Sequence, residues 1–248
     1  MTSDDAVQSA VAAVVDRGYC VLPGHLESTV VETCRAAFWP HLLTYLAADP
    51  APNRGPGRHY VAMPFEASCF APEFFFDPVI LDVVRRLMDD RIVADQWGCD
   101  VPVRGSAYQT AHADYQRPLF PERADLLLPP FAIVVSFGLV PITRESGPIE
   151  IAPGTQRMTR GEATRAVEAG DIPLAAVTLG VGDILIRHPW ALHRGTPNST
   201  DIPRAMASIR YARRWYSDDS REVASIPHGV WRSLTAEQQR LLRFPIGA

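Results

Sequence analysis

Apolar residues recur at helical spacing through the first third of the chain. One such stripe covers residues 4–17, a second covers residues 27–46, and a third begins at Asp77. Side chains three and four positions apart share a helix face, so each stripe predicts an amphipathic helix. Residues 50–59 are rich in proline and glycine and predict a loop between the second and third helices.

The pattern changes at about residue 92, where short segments rich in valine, isoleucine, phenylalanine and tyrosine begin to alternate with proline and glycine. The predicted strands are residues 92–98, 106–113, 131–140, 148–152, 175–178, 183–188 and 204–215. Short strands at such spacing are typical of an antiparallel sandwich or barrel. Two further helices are predicted at residues 157–170 and 234–243. The predicted fold class is therefore mainly β with flanking helices.

No linker or repeat divides the 248 residues, so a single domain is expected. About residues 1–90 would form a helical support layer, about 91–216 the barrel, and about 217–248 a C-terminal helical tail. Residues 58–65 join the helical layer to the barrel and are a candidate lid over a site.

Composition and charge exclude several classes of function. The formal net charge of −4 argues against a nucleic-acid-binding surface. No apolar run approaches the roughly 18 residues that a membrane span needs. All 24 basic residues are arginine, which excludes lysine-imine chemistry and a P-loop lysine. The four cysteines lack CxxC spacing and the first residues lack a signal segment, so a reducing, cytoplasmic location is expected.

A histidine and an aspartate stand two residues apart at His112 and Asp114. On a strand, positions two apart point to the same face, so one metal ion could contact both side chains. The same parity brings Thr110 to this face, as a candidate co-substrate contact, and turns Gln109 away from it. An HxD sequence alone is common, and a pair of surface residues is the simpler explanation for it.

A second segment supplies two histidines, His188 and His193, at the end of a predicted strand. Two histidines and one carboxylate that leave three positions open form the facial triad of non-haem Fe(II) oxygenases. A 2-oxoacid can chelate the metal through two of these positions, and O₂ can take the third. His193 is the predicted ligand because a Gly-x-x-Asn turn at residues 195–198 and an arginine follow it, and His188 stays open as the alternative.

That arginine is Arg204, eleven residues after His193. The distal carboxylate of a 2-oxoacid needs a planar and permanently charged partner, which arginine provides. Ser208 shares a strand face with Arg204 and could hydrogen-bond the same carboxylate. Arg210 shares this face as well, so strand parity leaves it open as the carboxylate-binding residue.

Together these segments resemble the phytanoyl-CoA dioxygenase family. That family has HxD on one strand, then N-G-x-L-x-x-x-P-G-S-H, then G-D-x-x-x-F and H-x-G-x-x-N, with an arginine about eleven residues beyond the last histidine. Residues 112–114 match the first motif, residues 146–156 match the second loosely, and residues 182–204 match the third. The resemblance spans roughly residues 10–215. Thr155-Gln156 departs from the family's Ser-His and puts a role of that histidine in doubt.

The resemblance implies a double-stranded β-helix of the jelly-roll or cupin-like type. It implies Fe(II) bound by His112, Asp114 and His193, with 2-oxoglutarate and O₂ as co-substrates and Arg204 as the carboxylate partner. The expected reaction is oxidation of a C–H bond in a small molecule, most simply hydroxylation, while desaturation, cyclisation and epimerisation stay open. Related halogenases have Gly or Ala in place of the aspartate, so the intact Asp114 favours oxygenation over halogenation.

The expected substrate is a small natural product or an amino-acid-like molecule, because no basic cluster for an acyl-CoA is evident. Neither a nucleic acid nor a membrane is expected as a partner, and the chain would be a monomer or a homodimer. A cupin-like metal enzyme that does not use 2-oxoglutarate is the alternative. Such an enzyme would have no use for Arg204.

Overall fold

A computed structural model describes residues 3–66, 68–114, 118–216 and 223–247. Its helices are α1 (Ser3–Arg17), α2 (Ser28–Ala47), α3 (Pro72–Phe75), α4 (Pro78–Leu87), α5 (Glu122–Asp125), α6 (Arg160–Ala169), α7 (His228–Ser233) and α8 (Ala236–Leu241). Its strands are β1 (Tyr19–Leu22), β2 (Arg58–Ala62), β3 (Ile92–Pro102), β4 (Ala132–Gly138), β5 (Ile149–Ile151), β6 (Ala175–Val177), β7 (Ile184–Arg187), β8 (His193–Gly195), β9 (Met206–Arg213), β10 (Ile226–Pro227) and β11 (Ile246–Gly247). Within these residues, no helix is long and apolar enough to cross a membrane.

The helices predicted in the first third of the chain are confirmed as α1, α2 and α4. Helix α4 begins where the sequence signals it, because the Asp77 side chain accepts a hydrogen bond from the Ile80 backbone N–H and Pro78 occupies the first position. The apolar stripes of all three helices are buried in one cluster with side chains of the large sheet. Burial of these stripes against the sheet is what holds the helices in place.

Antiparallel β-sheet makes up the rest of the framework, as the strand pattern predicts. Six strands form one sheet in the order β1-β7-β4-β9-β3-β2, and three form a second in the order β6-β5-β8. Every pair in both sheets is antiparallel. A smaller apolar cluster joins the sheets through Ile149 and Ile151 from the short sheet and Leu185 and Met206 from the large one. The large sheet therefore has helices on one face and the short sheet on the other.

The strand predicted at residues 106–113 is wrong. The segment is irregular, and its one ladder contact is a single bridge between His112 and His193. Its backbone bonds to β8 only at Gln109 and His112, whose N–H groups donate to the carbonyls of Gly195 and His193. The Ala107 N–H donates instead to the Pro56 carbonyl, and the Gln109 side chain accepts from the Gly195 N–H. The regular strand pairing is therefore interrupted, and the segment is a loop.

The candidate lid at residues 58–65 is also corrected. Its first five residues are β2, which pairs with β3 at the edge of the large sheet, and the side chain of Arg58 is buried. A strand paired along its whole length is part of the framework. The abundance of proline and glycine before it concealed this strand in the sequence.

The C-terminal tail is only partly helical. Helices α7 and α8 lie there, but so do the two short strands β10 and β11, which pair in parallel. Residues 217–222 of the predicted tail lie outside the described residues. The helix predicted at residues 234–243 is shorter, since α8 covers Ala236–Leu241 after a capping box at Thr235.

Candidate metal centre

The three predicted metal ligands come together between the two sheets. One nitrogen or oxygen from each of His112, Asp114 and His193 lies within 4.8 Å of the others. Nε2 of His193 is 3.5 Å from Oδ1 of Asp114, and the two imidazole ring centres are 4.6 Å apart. No other group of three or more such side chains in the described residues meets at this spacing.

Backbone hydrogen bonds hold this arrangement although His112 is not in a regular strand. The His112 N–H donates to the His193 carbonyl at 2.9 Å, and the His193 N–H donates back at 2.8 Å. The Asp114 N–H donates to the carbonyl of Pro189 at 3.0 Å. The loop that carries HxD is thereby fastened to the segment that leads into β8.

Both imidazoles are oriented through their Nδ1 atoms. Nδ1 of His112 lies 2.8 Å from the Thr110 carbonyl, and Nδ1 of His193 lies 2.9 Å from the Ala191 carbonyl. A carbonyl can only accept, so each Nδ1 carries the proton and each Nε2 keeps its lone pair. This is the tautomer in which histidine binds metals through Nε2.

The electrostatics of the centre favour an ionised Asp114 carboxylate and a neutral His112 imidazole. Burial would raise the pKa of Asp114, but the charges of Arg187 and His193 hold it well below its ordinary value. Burial, together with the neighbouring His193, lowers the pKa of His112. An ionised carboxylate and a neutral imidazole are the forms in which these two groups bind a metal.

His188, the alternative histidine, lies outside this group. Its Nδ1 accepts a hydrogen bond from the Trp190 N–H at 3.1 Å. Burial lowers the pKa of His188 to about 4, with a further contribution from the charge of Arg187. It is a neutral, half-buried side chain that shapes the turn leading to His193.

Arg204 is buried in a cluster with a second arginine. Its Nη2 donates to Oδ2 of Asp100 at 2.9 Å, and Nη1 of Arg58 donates to the same oxygen at 3.0 Å. Its Nε donates to the Gly147 carbonyl at 3.0 Å. Burial would raise the pKa of Asp100, but Arg204 and Arg58 lower it, so the carboxylate is ionised. Two guanidinium groups and one carboxylate leave this cluster with a net charge of +1.

The other candidates for carboxylate binding differ in position. Ser208 is buried, shares a 2.9 Å hydrogen bond with the Ser136 hydroxyl, and lines the same cavity as Arg204. Arg210 makes a two-pronged ion pair with Asp95, at 2.8 and 2.9 Å, and is not among the residues that line the cavity. Thr110 is exposed and lines a shallower depression beside the cavity.

A cavity of about 720 Å³ connects the triad with the Arg204 cluster. Its other walls include Gln109, which contradicts the prediction that this side chain points away from His112. Strand parity does not apply in an irregular loop, so Gln109 and His112 reach the same cavity. Polar side chains form another part of the wall: His41, Tyr45, Asn53 and Arg54.

Sequence reasoning missed Asp100 and Arg187, which contact Arg204 and Asp114 respectively. No sequence pattern identified Asp100, because its two arginine partners lie in β2 and in the segment before β9, far away in sequence. A sequence pattern could have identified Arg187, because it stands where the G-D-x-x-x-F motif has phenylalanine. A charged residue at an aromatic position of a motif is a departure that sequence reasoning can detect.

Comparison with known proteins adds a family and a fold. The phytanoyl-CoA dioxygenase (PhyH) family matches residues 14–206. Among solved structures, the chain is similar to the non-haem α-ketoglutarate-dependent epimerase SnoN from nogalamycin biosynthesis, with 20% identity and a TM-score of 0.62 over 89% of this chain and 95% of that one.

Two structures from Streptomyces are similar as well. AviO1 from Streptomyces viridochromogenes Tue57 has 16% identity and a TM-score of 0.65 over 88% of this chain and 99% of that one. HygX from Streptomyces hygroscopicus, solved with nickel and 2-oxoglutarate bound, has 16% identity and a TM-score of 0.62 over 88% and 94%. At these identities the likeness shows a shared fold.

Proposed function

The chain belongs to the phytanoyl-CoA dioxygenase family, and from this premise we propose that it is an Fe(II)- and 2-oxoglutarate-dependent oxygenase acting on a small natural product. The observation that carries the proposal is that one cavity is lined both by the triad and by Arg204 and Asp100. Arg58, behind that lining, gives the cluster its net positive charge. A metal site alone fits many enzymes. A metal site that shares a cavity with a receptor for a carboxylate fits the use of 2-oxoglutarate.

The donor set fits iron. Two imidazoles with free Nε2 atoms and one ionised carboxylate form the two-histidine, one-carboxylate combination of non-haem Fe(II) oxygenases. His112, Asp114 and His193 would hold the metal. Oδ1 of Asp114 is the oxygen that faces His193, and Oδ2 faces Arg187, so the carboxylate has one oxygen available to the metal.

The Arg204 cluster fits the distal carboxylate of 2-oxoglutarate. Its single net positive charge matches one carboxylate, and burial strengthens that attraction because little water screens it. Gly147 and Asp100 hold the guanidinium of Arg204 in one orientation before any ligand arrives. Ser208 lines the same cavity from β9 and can add a hydroxyl hydrogen bond, and Thr110 would act from the outer depression.

When bound, iron and 2-oxoglutarate supply the oxidation, in which O₂ and 2-oxoglutarate yield succinate, CO₂ and an oxidised substrate. The chain contributes position and a partly dry cavity. Hydroxylation is the simplest outcome. Since the solved relatives include an epimerase and a carbocyclase, other oxidative outcomes on this site belong to the same proposal. The carboxylate of Asp114 occupies the position that a halogenase leaves free.

We also propose that the chain works as one domain, in which the N-terminal helices support the large sheet behind the cavity. The shared apolar cluster of α1, α2, α4 and that sheet supports this view. One of the similar structures, HygX, contains bound hygromycin B, and a natural product of moderate size would suit the cavity of this chain.

Anaerobic visible spectroscopy tests the proposal. Addition of Fe(II) and 2-oxoglutarate to the purified chain should produce a weak charge-transfer band that neither gives alone. The band should disappear in His193→Ala and persist in His188→Asn, which separates the two candidate ligands. Absence of the band from the wild-type protein under all conditions would contradict the proposal.

The arginine cluster is tested by titration with 2-oxoglutarate. Arg204→Met should weaken 2-oxoglutarate binding more than tenfold while Fe(II) still binds, because a charge-assisted pair is lost and the metal ligands are kept. Arg104→Met is the matched control, since Arg104 is exposed and pairs with Asp201 outside the cavity. An unchanged affinity in Arg204→Met would contradict the assignment of Arg204 as the partner of the distal carboxylate, and absence of 2-oxoglutarate binding by the wild-type chain would favour a metal enzyme that does not use it.

A further inference from the structure

Arg187 is a buried cation that the proposed reaction does not use. It ends β7, its side chain is 11% exposed, and it lines the cavity together with the triad. The motif G-D-x-x-x-F begins at Gly182 and puts this arginine at the phenylalanine position. A charge has therefore replaced an apolar ring beside the metal centre.

The guanidinium of Arg187 uses only part of its hydrogen-bonding capacity. Nη1 lies 2.8 Å from Oδ2 of Asp114, but neither Nη1 nor Nε makes a well-angled hydrogen bond to any described residue. Buried N–H groups without acceptors cost free energy, and native proteins rarely keep them without a reason. An acceptor that enters the cavity would relieve that cost.

Metal binding makes this imbalance larger. In the free protein the charge of Asp114 balances that of Arg187. Once Asp114 binds a divalent cation, its charge is shared with that ion, and the arginine becomes a buried cation next to another one. A further anion beside Arg187 would stabilise such an arrangement.

The register of the sheet separates Arg187 from the site proposed for the distal carboxylate of 2-oxoglutarate. Arg187 pairs with Val134, which pairs in turn with Arg210 on β9. Asp100, the partner of Arg204, pairs with Met206 on the same strand. Met206 and Arg210 are four residues apart along β9, which corresponds to roughly 13 Å. The cavity thus has cationic groups at both ends, and the Arg204 cluster serves only one of them.

We propose that Arg187 binds a carboxylate of the primary substrate beside the metal, so that the substrates of this enzyme are carboxylic acids. The inference rests on the proposed function, because it takes the Arg204 end for 2-oxoglutarate. Arginine suits the task, since its planar fork can keep Nη1 on Asp114 and still offer other N–H groups to a second carboxylate. The arginine would thereby fix one end of the substrate next to the iron.

The test compares acids with their neutral amides. The full chain is loaded with Zn(II) and 2-oxoglutarate, so that no turnover occurs, and binding is measured by ligand-observed NMR. The probes are cyclohexanecarboxylate with cyclohexanecarboxamide, and phenylacetate with phenylacetamide. Wild-type protein should bind each acid at least about tenfold more tightly than its amide, as expected for one charge-assisted pair.

Three variants locate the effect. The preference for acids should vanish in Arg187→Met and persist in Arg187→Lys, which keeps the charge. It should also persist in Arg194→Met, because Arg194 is next to His193 in sequence but pairs with Glu150 and is not among the cavity-lining residues. If the preference for acids is also lost in Arg194→Met, it comes from the overall positive electrostatic potential of the region and not from Arg187, and the inference is overturned.

Several results would count against the proposal. Equal binding of acids and amides by the wild-type protein overturns it, whatever happens to the variants. A large loss of 2-oxoglutarate affinity in Arg187→Met, with no effect on the probes, would assign the arginine to the co-substrate and overturn it too. Failure of the wild-type chain to bind Zn(II) and 2-oxoglutarate would instead overturn the proposed function, together with the inference that rests on it.

Discussion

At the scale of single residues, Gly195 shows why the third motif needs a glycine two positions after the histidine. A β-carbon there would clash with the guanidinium of Arg58. That guanidinium cannot move aside easily, because it is buried and donates to Asp100 and to the Thr196 carbonyl. The glycine therefore makes room for the second arginine of the cationic cluster.

Gly195→Ala should lower the free energy of unfolding by about 1–3 kcal/mol, the usual cost of forcing extra volume into a packed interior. Urea unfolding measures the change. Gly161→Ala is the matched control, because a β-carbon at Gly161 in α6 meets no atom within 4 Å. The control should be neutral or slightly stabilising. Equal stability of both variants would show that Arg58 adapts freely.

His188 predicts a dependence of stability on pH. Its pKa in the folded chain is about 4, because of burial, and an unfolded histidine titrates near 6.5. The unfolded state therefore binds the extra proton between these values, and the stabilisation present above pH 6.5 is lost as the pH falls towards 4. The loss is at most about 3 kcal/mol. Urea unfolding between pH 7 and 4.5 should show a shallower pH dependence for His188→Asn than for wild type, and identical slopes would contradict the assignment.

At the scale of secondary-structure elements, Gln156 connects the second motif to the first helix. This residue stands where the resembled family has histidine. Its Nε2 donates to the carbonyls of Val15 at 2.8 Å and Asp16 at 3.2 Å, so the side chain holds the end of α1. These carbonyls belong to the last turn of α1, where helical partners are lacking. The departure from the motif thus has a structural role in this chain.

Gln156→Ala should destabilise the chain by about 1–3 kcal/mol, because the carbonyls of Val15 and Asp16 at the end of α1 lose the donor that the buried Gln156 side chain supplies. Thermal unfolding, followed by circular dichroism, measures it. Gln8→Ala is the control on the same helix, since Gln8 is exposed and donates only to Asp4 among the contacts described. That variant should stay within about 0.5 kcal/mol of wild type. A comparable loss in both variants would refute the special role of Gln156.

At the scale of the whole molecule, the triad joins two parts of the framework. His193 opens a strand of the short sheet, while His112 and Asp114 lie in the loop that follows β3 of the large sheet. A metal that binds all three side chains binds the folded state alone. Zn(II) at 100 times its dissociation constant should therefore raise the free energy of unfolding by about 2.7 kcal/mol.

Asp114→Ala should abolish most of this stabilisation, and Asp201→Ala, which changes an exposed aspartate, should keep it. Urea unfolding with and without Zn(II) gives the comparison directly. Equal stabilisation of both variants would mean that the ion binds elsewhere on the chain.

The sequence by itself determined the local and periodic features of this protein. Helical stripes predicted α1, α2 and α4, short apolar segments predicted most strands, and motif spacing led to His112, Asp114, His193 and Arg204. These features depend on neighbours within a few residues or on a family pattern of fixed order. Strand parity failed at residues 106–113, because the segment bonds to β8 only at Gln109 and His112 and is otherwise irregular. The Ala107 N–H donates to the distant Pro56 carbonyl, and the Gln109 side chain accepts from the Gly195 N–H.

Only the tertiary structure decided which charges meet. Strand parity puts Arg204 and Arg210 on one face of the predicted strand, yet Arg204 precedes β9 and borders the cavity with Asp100, while Arg210 pairs with Asp95. His188 and His193 are five residues apart, yet only His193 meets His112 and Asp114. The partners of these side chains come from strands distant in sequence, and β-sheet register, which brings them together, follows from packing of the whole fold.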